Sequence, residues 1–199
     1  MLAAFLALPA RAQTHYGGVP GVSSVKVDGT STLHDWEMEG KMIGGSMEFG
    51  PDVKLDASLP DGKVAVKAHA IIPVLTIHSK AEHSPEIMDG LMQKALKADT
   101  FPRIEYTLTE MTSKGPHEAG KPLNFDATGN LVIAGATNQV SFPVTIDASD
   151  PAKIKVSATV PIKMTAYGVD PPAPNIGLGL MRCGDDVKII IDWTLKKRG

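Results

Sequence analysis

The chain has 199 residues, enough for one domain whose core needs neither a metal nor a disulfide to hold it. A hydrophobic fraction of 43% and a charged fraction of 21% belong to an ordinary globular protein, and a formal net charge of −2 offers no global basic field to nucleic acid or anionic lipid. The lone cysteine, Cys183, excludes an internal disulfide, and with no histidine near it in sequence its thiol reads as inert.

The first segment differs from the rest. Leu2 to Leu8 is a short apolar run, followed by Pro9 and then Ala10-Arg11-Ala12. That is an h-region with a small-x-small cleavage site, too short to span a bilayer. It lacks a positively charged start, so residues 1–12 read as a truncated signal peptide, with mature protein from about Gln13 and an exported, periplasmic destination. Residues 13–24, rich in Gly, Pro and Ser, read as a flexible leader, and 25–199 as a single domain. No other segment is apolar enough to cross a membrane as a helix.

Beyond the leader the chain alternates. Val64, Val66, Ala68, Ala70 and Ile72 share one face, with Lys63, Lys67 and His69 on the other. A helix interrupts at about residues 85–98. Ser84 is placed as its N-cap, Pro85 at its first position and Glu86 in its first turn, and Ile87, Met88, Leu91, Met92, Ala95 and Leu96 form one apolar stripe. Phe101-Pro102 closes the element, because the residue before proline disfavours helix. Ile104, Tyr106 and Leu108 resume the alternation. Phe142, Val144 and Ile146 continue it, as do Ile154 through Ala166 in steps of two and Val187, Ile189, Ile191, Trp193 and Leu195. A period of two puts successive side chains on opposite faces of a strand, and one greasy face against one wet face indicates antiparallel sheet.

Asp28-Gly29, Glu39-Gly40, Pro60-Asp61-Gly62, Thr128-Gly129-Asn130 and Cys183-Gly184-Asp185 supply turn residues between these runs. Pro143 and Pro161, which lack a ladder donor, imply an edge, a bulge or a bend. Gly44-Gly45 permits sharp bending. A sheet with one apolar face must stack on another sheet or curl on itself. Long strands with internal glycines favour the second solution: an all-β fold, a single antiparallel barrel of about eight strands with one short helix against it or plugging one end. The pattern alone fits a solid interior as well as a hollow one.

Chemical motifs are few. His78, Glu82 and His83 lie close in sequence before the helix, and a metal site built on them is one reading, a polar loop the other. His34-Asp35 resembles a His–carboxylate pair, but neighbours in a strand point to opposite faces. Phosphate-binding glycine loops, nucleophile elbows and HExxH are missing, and the 5% aromatic content is too scattered to form a stacking platform. No catalytic residue, metal or cofactor is assigned.

Two stretches carry a family resemblance. Thr76-Ile77-His78-Ser79-Lys80-Ala81-Glu82-His83 leads into the helix, which ends through Leu96 to Phe101-Pro102-Arg103-Ile104-Glu105-Tyr106. Gly129-Asn130-Leu131-Val132-Ile133-Ala134-Gly135-Ala136-Thr137 then runs on to Val140. The chain from about Val25 to Leu195 resembles the YceI family of exported bacterial proteins. Where that family has Arg-Asp after the loop glutamate, this chain has His83-Ser84. Its Asp170–Pro174 and Gly177–Leu180 segments look longer than usual.

The resemblance implies a lipocalin-like barrel with a long apolar tunnel, and binding of polyisoprenoids or other long-chain amphiphiles rather than catalysis. The expected function is therefore a periplasmic carrier of a polyisoprenoid, quinone-like lipid or fatty-acid derivative, with no nucleic-acid partner and no stable membrane insertion. Edge strands leave a homodimer open. The expected lining is Val66, Ala68, Ile104, Tyr106, Leu108, Phe142, Val144, Val156, Ala158, Val160, Ile189, Ile191 and Trp193, with Leu91 and Met92 closing one end. The rivals are a packed structural or interaction barrel and a metal protein using His78, Glu82 and His83.

Overall fold

The computed structural model describes residues 13–173 and 181–199. The signal segment, residues 1–12, and most of the long loop expected before Cys183 lie outside the described residues. The strands are β1 (Thr14–Gly18), β2 (Ser24–Ser31), β3 (Trp36–Gly40), β4 (Gly44–Phe49), β5 (Gly62–Lys63), β6 (Val66–Pro73) and β7 (Ile77–Ser79). The helix α1 (Pro85–Ala95) follows, then β8 (Arg103–Lys114), β9 (Leu123–Ile133), β10 (Ala136–Asp147), β11 (Lys153–Lys163) and β12 (Cys183–Arg198).

Eight strands close a ring in the order β1-β4-β6-β8-β9-β10-β11-β12 and back to β1, every pair antiparallel. This is the barrel that the alternation predicts. Its wall has two tiers because β12 is long. Leu195–Arg198 of β12 pairs with β1, whereas Cys183–Asp192 pairs with β2, which carries β3 and β7 beyond it. A 3₁₀ turn, Val74–Thr76, breaks β6 from β7, so one stretch of chain serves both tiers.

The leader is not all flexible: Thr14–Gly18 forms β1, held on both sides by β4 and β12, and it closes the ring. Two expected turns also fall inside strands. Asp28-Gly29 lies in β2, where a Cβ on Gly29 would sit 2.1 Å from the Trp36 ring. Thr128-Gly129-Asn130 lies in β9, where a Cβ on Gly129 would meet the Tyr106 hydroxyl at 2.5 Å. These glycines make room for aromatic rings of the neighbouring strands. Gly45 does bend: its φ is +109°, and a Cβ there would lie 1.9 Å from the His69 carbonyl oxygen.

A bulge between Leu108 and Glu110 inverts the facing of β8, so Ile104, Tyr106 and Leu108 point inward before it and Met111 and Ser113 after it. Pro143 and Pro161 mark a seam. β10 and β11 pair only from Val144 to Asp147, so the preceding part of β10 and the far end of β11 have no ladder between them. The 3₁₀ turn Met164–Tyr167, expected as more strand, crosses that seam, and the Ala166 carbonyl accepts from Asn138 Nδ2 at 2.8 Å.

α1 is shorter than the expected 85–98. Lys97 turns left-handed (φ 53°) and Ala98 N donates back to the Gln93 carbonyl, a C-terminal cap that stops the helix before Phe101-Pro102 is reached. Ser84 is not the side-chain cap expected of it. Its own backbone is left-handed, and its hydroxyl makes no capping bond.

Candidate functional site

The barrel is solid at one end and hollow at the other. The solid end holds Phe49, Leu123, Phe125, Ile146, Ile154 and Leu195, all fully buried, with Tyr16 edge-on to Phe49 at 6.0 Å between ring centroids. Towards α1 the inward side chains are smaller or further apart, and two cavities open.

The lower chamber contains about 800 Å³ of atom-free space, including what opens to solvent. It is walled by Ala68, Ala70 and Ile72 of β6, Tyr106, Leu108 and Met111 of β8, Phe142 and Val144 of β10, Val156, Ala158 and Val160 of β11, and Ile191 and Trp193 of β12, with Ile43 and Met47 below. The upper chamber contains about 890 Å³, including its opening to solvent. Val27, Trp36, Met38, Ile77, Ile133, Ile162, Tyr167, Val169 and Val187 line it, and Met88, Leu91, Met92 and Ala95 of α1 roof it with Leu96 just after the helix. Ile104 and Ile189 belong to both walls and form the waist between the two. Among the described residues, neither lining contains a charged side chain.

Of the strand residues expected to face the tunnel, all but Val66 line the lower chamber. Val66 pairs with Phe49 at the solid end and lies half-buried against the core there. Leu91 and Met92 lie in the roof, as the helix stripe predicts. The upper chamber is what the sequence reading largely missed. Part of its wall comes from β2, β3 and β7, which give it only one or two inward residues each and so no visible period. Its methionines, Met38, Met88, Met92, Met164 and Met181, are a signal that could have been used, since unbranched polarizable side chains suit a surface that adapts to its contents.

Polar atoms inside the walls are rare. Among the described residues, the Tyr106 and Tyr167 hydroxyls and Trp193 Nε1 are buried without a hydrogen-bond partner. Burial pushes the Tyr106 hydroxyl up to about 12 and raises Tyr167 as well, so both stay neutral. Cys183 lines the upper chamber. Burial raises its thiol, with the Trp36 side chain pulling the other way, which keeps it a poor nucleophile.

The expected reactive groups stand outside the tunnel. His78 Nδ1 lies 2.8 Å from Asp89 Oδ2, and Ser79 N donates to Asp89 Oδ1 at 2.6 Å, so these contacts pin α1 to β7. Glu82 and His83 are exposed in the loop. His34 turns its Nδ1 to the Asp35 carbonyl at 2.7 Å rather than to a carboxylate. Among the described residues no three His, Cys, Asp or Glu side chains gather as a metal-binding group.

The YceI-like domain model matches residues 16–195, nearly the whole described barrel. The chain belongs to the YceI-like domain family. Solved structures share the fold of this YceI-like protein. A polyisoprenoid binding domain from Saccharophagus degradans, implicated in plant cell wall breakdown, superposes with a TM-score of 0.65 at 12% identity, over 92% of this chain and 98% of that one. Burkholderia cenocepacia BcnA gives 0.62 at 19% identity, over 86% and 95%. The Campylobacter jejuni YceI protein gives 0.55 at 17% identity, over 81% and 85%. No curated protein matches the chain.

Proposed function

We propose that this YceI-like protein is an exported, periplasmic carrier that sequesters a long-chain apolar ligand in the tunnel. The ligand classes that fit are a polyisoprenoid, a quinone-like lipid or a fatty-acid derivative. The observation that carries this reading is the pair of chambers meeting at Ile104 and Ile189, whose walls among the described residues carry no charge. Transfer of a hydrocarbon tail into such a space gains about 25 cal/mol per Å² of apolar surface, before the cost of ordering the chain. The likeness to a domain described as polyisoprenoid-binding supports the same ligand class.

The site works by binding rather than by catalysis. Burial holds its thiol protonated, His78 pins the helix, and His34 and His83 are exposed in loops. Transfer of cargo then involves movement of α1, because the helix roofs the upper chamber and the Asp89 contacts tie it to β7. Organic extraction of the purified protein followed by mass spectrometry tests the reading. A neutral long-chain lipid at near-stoichiometric yield is expected. Lipid-free protein that also takes up no polyprenyl probe overturns it.

A further inference from the structure

The barrel wall is open along one line. β10 and β11 pair from Val144 to Asp147 and no further, whereas β9 holds β10 from Ala136 to Ile146 and β12 holds β11 from Lys153 to Lys163. The break is written into the sequence. Continuing the register of the paired part would set Pro143 opposite Thr159 and Ser141 opposite Pro161. Each of those two pairs contains a proline, which has no N–H to give to a ladder. The inner face shows the consequence. Val140 and Phe142, beside the break, are half-buried, while Val144 and Ile146, where the ladder is intact, are buried.

The break runs along the hollow part of the barrel. Phe142 and Val160, on its two sides, wall the lower chamber, and Ile162 walls the upper one. The 3₁₀ turn Met164–Tyr167 straps it, with Met164 and Tyr167 lining the upper chamber. The strap's two attachments are unequal. On the β12 side Thr165 N and Oγ1 each donate to the Asp185 carboxylate at 2.8 Å, and Lys163 Nζ lies 2.8 Å from Asp186 Oδ1. On the β10 side, among the described residues, one solvent-exposed hydrogen bond joins it, from Asn138 Nδ2 to the Ala166 carbonyl. A strap fixed along one edge and held by a single exposed bond at the other is built as a hinged latch.

We propose that this seam is a side door for the cargo. The strap swings off Asn138 on its Asp185 anchor, and a long chain is laid into the tunnel sideways between β10 and β11. End-on entry would thread the whole tail past Ile104 and Ile189, whereas the seam borders both chambers and bypasses that waist. An opening on either flank would instead break the full ladders of β9 with β10 or β11 with β12. Movement of α1 frees the end of the chain under the roof, and the seam passes the rest. This rests on the carrier reading and adds the route.

The probe is farnesyl anthranilate, a fluorescent polyprenyl ester, followed by stopped flow on delipidated protein. Asn138 lines neither chamber, so Asn138→Ala removes the latch bond without touching the cargo. Uptake and release are expected to quicken together, each about fivefold, the weight of one hydrogen bond, with Kd unchanged. Asn138→Cys with Ala166→Cys, in a Cys183→Ser background, places two thiols across the latch for a short bismaleimide. Cross-linking is expected to slow both rates by about tenfold or more and to leave Kd unchanged. The same protein with each thiol capped by N-ethylmaleimide is expected to exchange at least as fast as its Cys183→Ser parent.

Cross-linked protein that exchanges the probe as fast as the capped protein overturns the inference and leaves the carrier reading standing, with α1 the way in. So does an Asn138→Ala protein whose affinity falls while its uptake stays unchanged, since Asn138 would then be a structural contact and no latch. Failure of the unsubstituted protein to bind the probe overturns both.

Discussion

Enlarging Ala158 to leucine separates a hollow barrel from a filled one. Ala158 sits on β11 in register with Val144 and Ile191, and its methyl group faces the lower chamber. In a filled core, three added carbons would force neighbouring side chains off their rotamers and cost about 1–3 kcal/mol. In a chamber with about 800 Å³ of atom-free space they bury apolar surface instead. At about 0.8 kcal/mol per carbon, Ala158→Leu stabilises the ligand-free protein by about 2 kcal/mol. For a domain of this size the same figure raises Tm by roughly 4–8 °C. The variant also takes up less of a polyprenyl probe, because the leucine occupies space the tail would use. Denaturation in urea and by heat, on delipidated protein, measures the first effect, and probe titration the second. A destabilised variant with unchanged uptake would refute the reasoning, since it would show Ala158 in a packed core remote from any cavity.

The opposite behaviour is expected at the solid end, where Ile146→Ala costs about 2–5 kcal/mol in urea denaturation and leaves probe affinity unchanged. Burial raises all three tyrosines, and alkaline titration should find Tyr106 the last of them. The Tyr106 hydroxyl, raised from 10.0 to about 12 by desolvation, contributes stability that is full below about pH 10 and lost as pH rises through 12. Ultraviolet difference spectra should therefore lose their last step in Tyr106→Phe. Asp89→Ala removes the acceptor for both Ser79 N and His78 Nδ1, so α1 loosens, and stopped-flow release of a bound probe should speed up several-fold while the global urea midpoint moves little.

The long strands could be read in the sequence because their pattern is local: Ile154, Val156, Ala158, Val160 and Ile162 declare an inward face without reference to any partner. What could not be read depends on partners far along the chain. Thr14–Gly18 has the composition of a loose leader and becomes a strand only because β4 and β12 each present an edge to it. Gly29 and Gly129 carry the signature of turns, yet they lie mid-strand because Trp36 and Tyr106 lie across them. Solid and hollow ends cannot be told apart by period either. Ile146 and Ala158 both point inward, and whether their neighbourhood is filled depends on what other strands contribute, Phe125 and Leu123 of adjacent β9 at one level and the small Ala68 and Ala70 of β6 at the other. Val66 was misplaced for the same reason.

The most direct test of the hollow barrel is diffraction from crystals of the protein soaked with a terminally brominated polyprenyl lipid. Continuous density from the α1 roof at Leu91 and Met92, through the Ile104–Ile189 waist, to the neighbourhood of Trp193 is the predicted result, with the bromine's anomalous peak marking one end. An interior closed by interdigitated side chains, with bromine found only on the outer surface, would contradict the account.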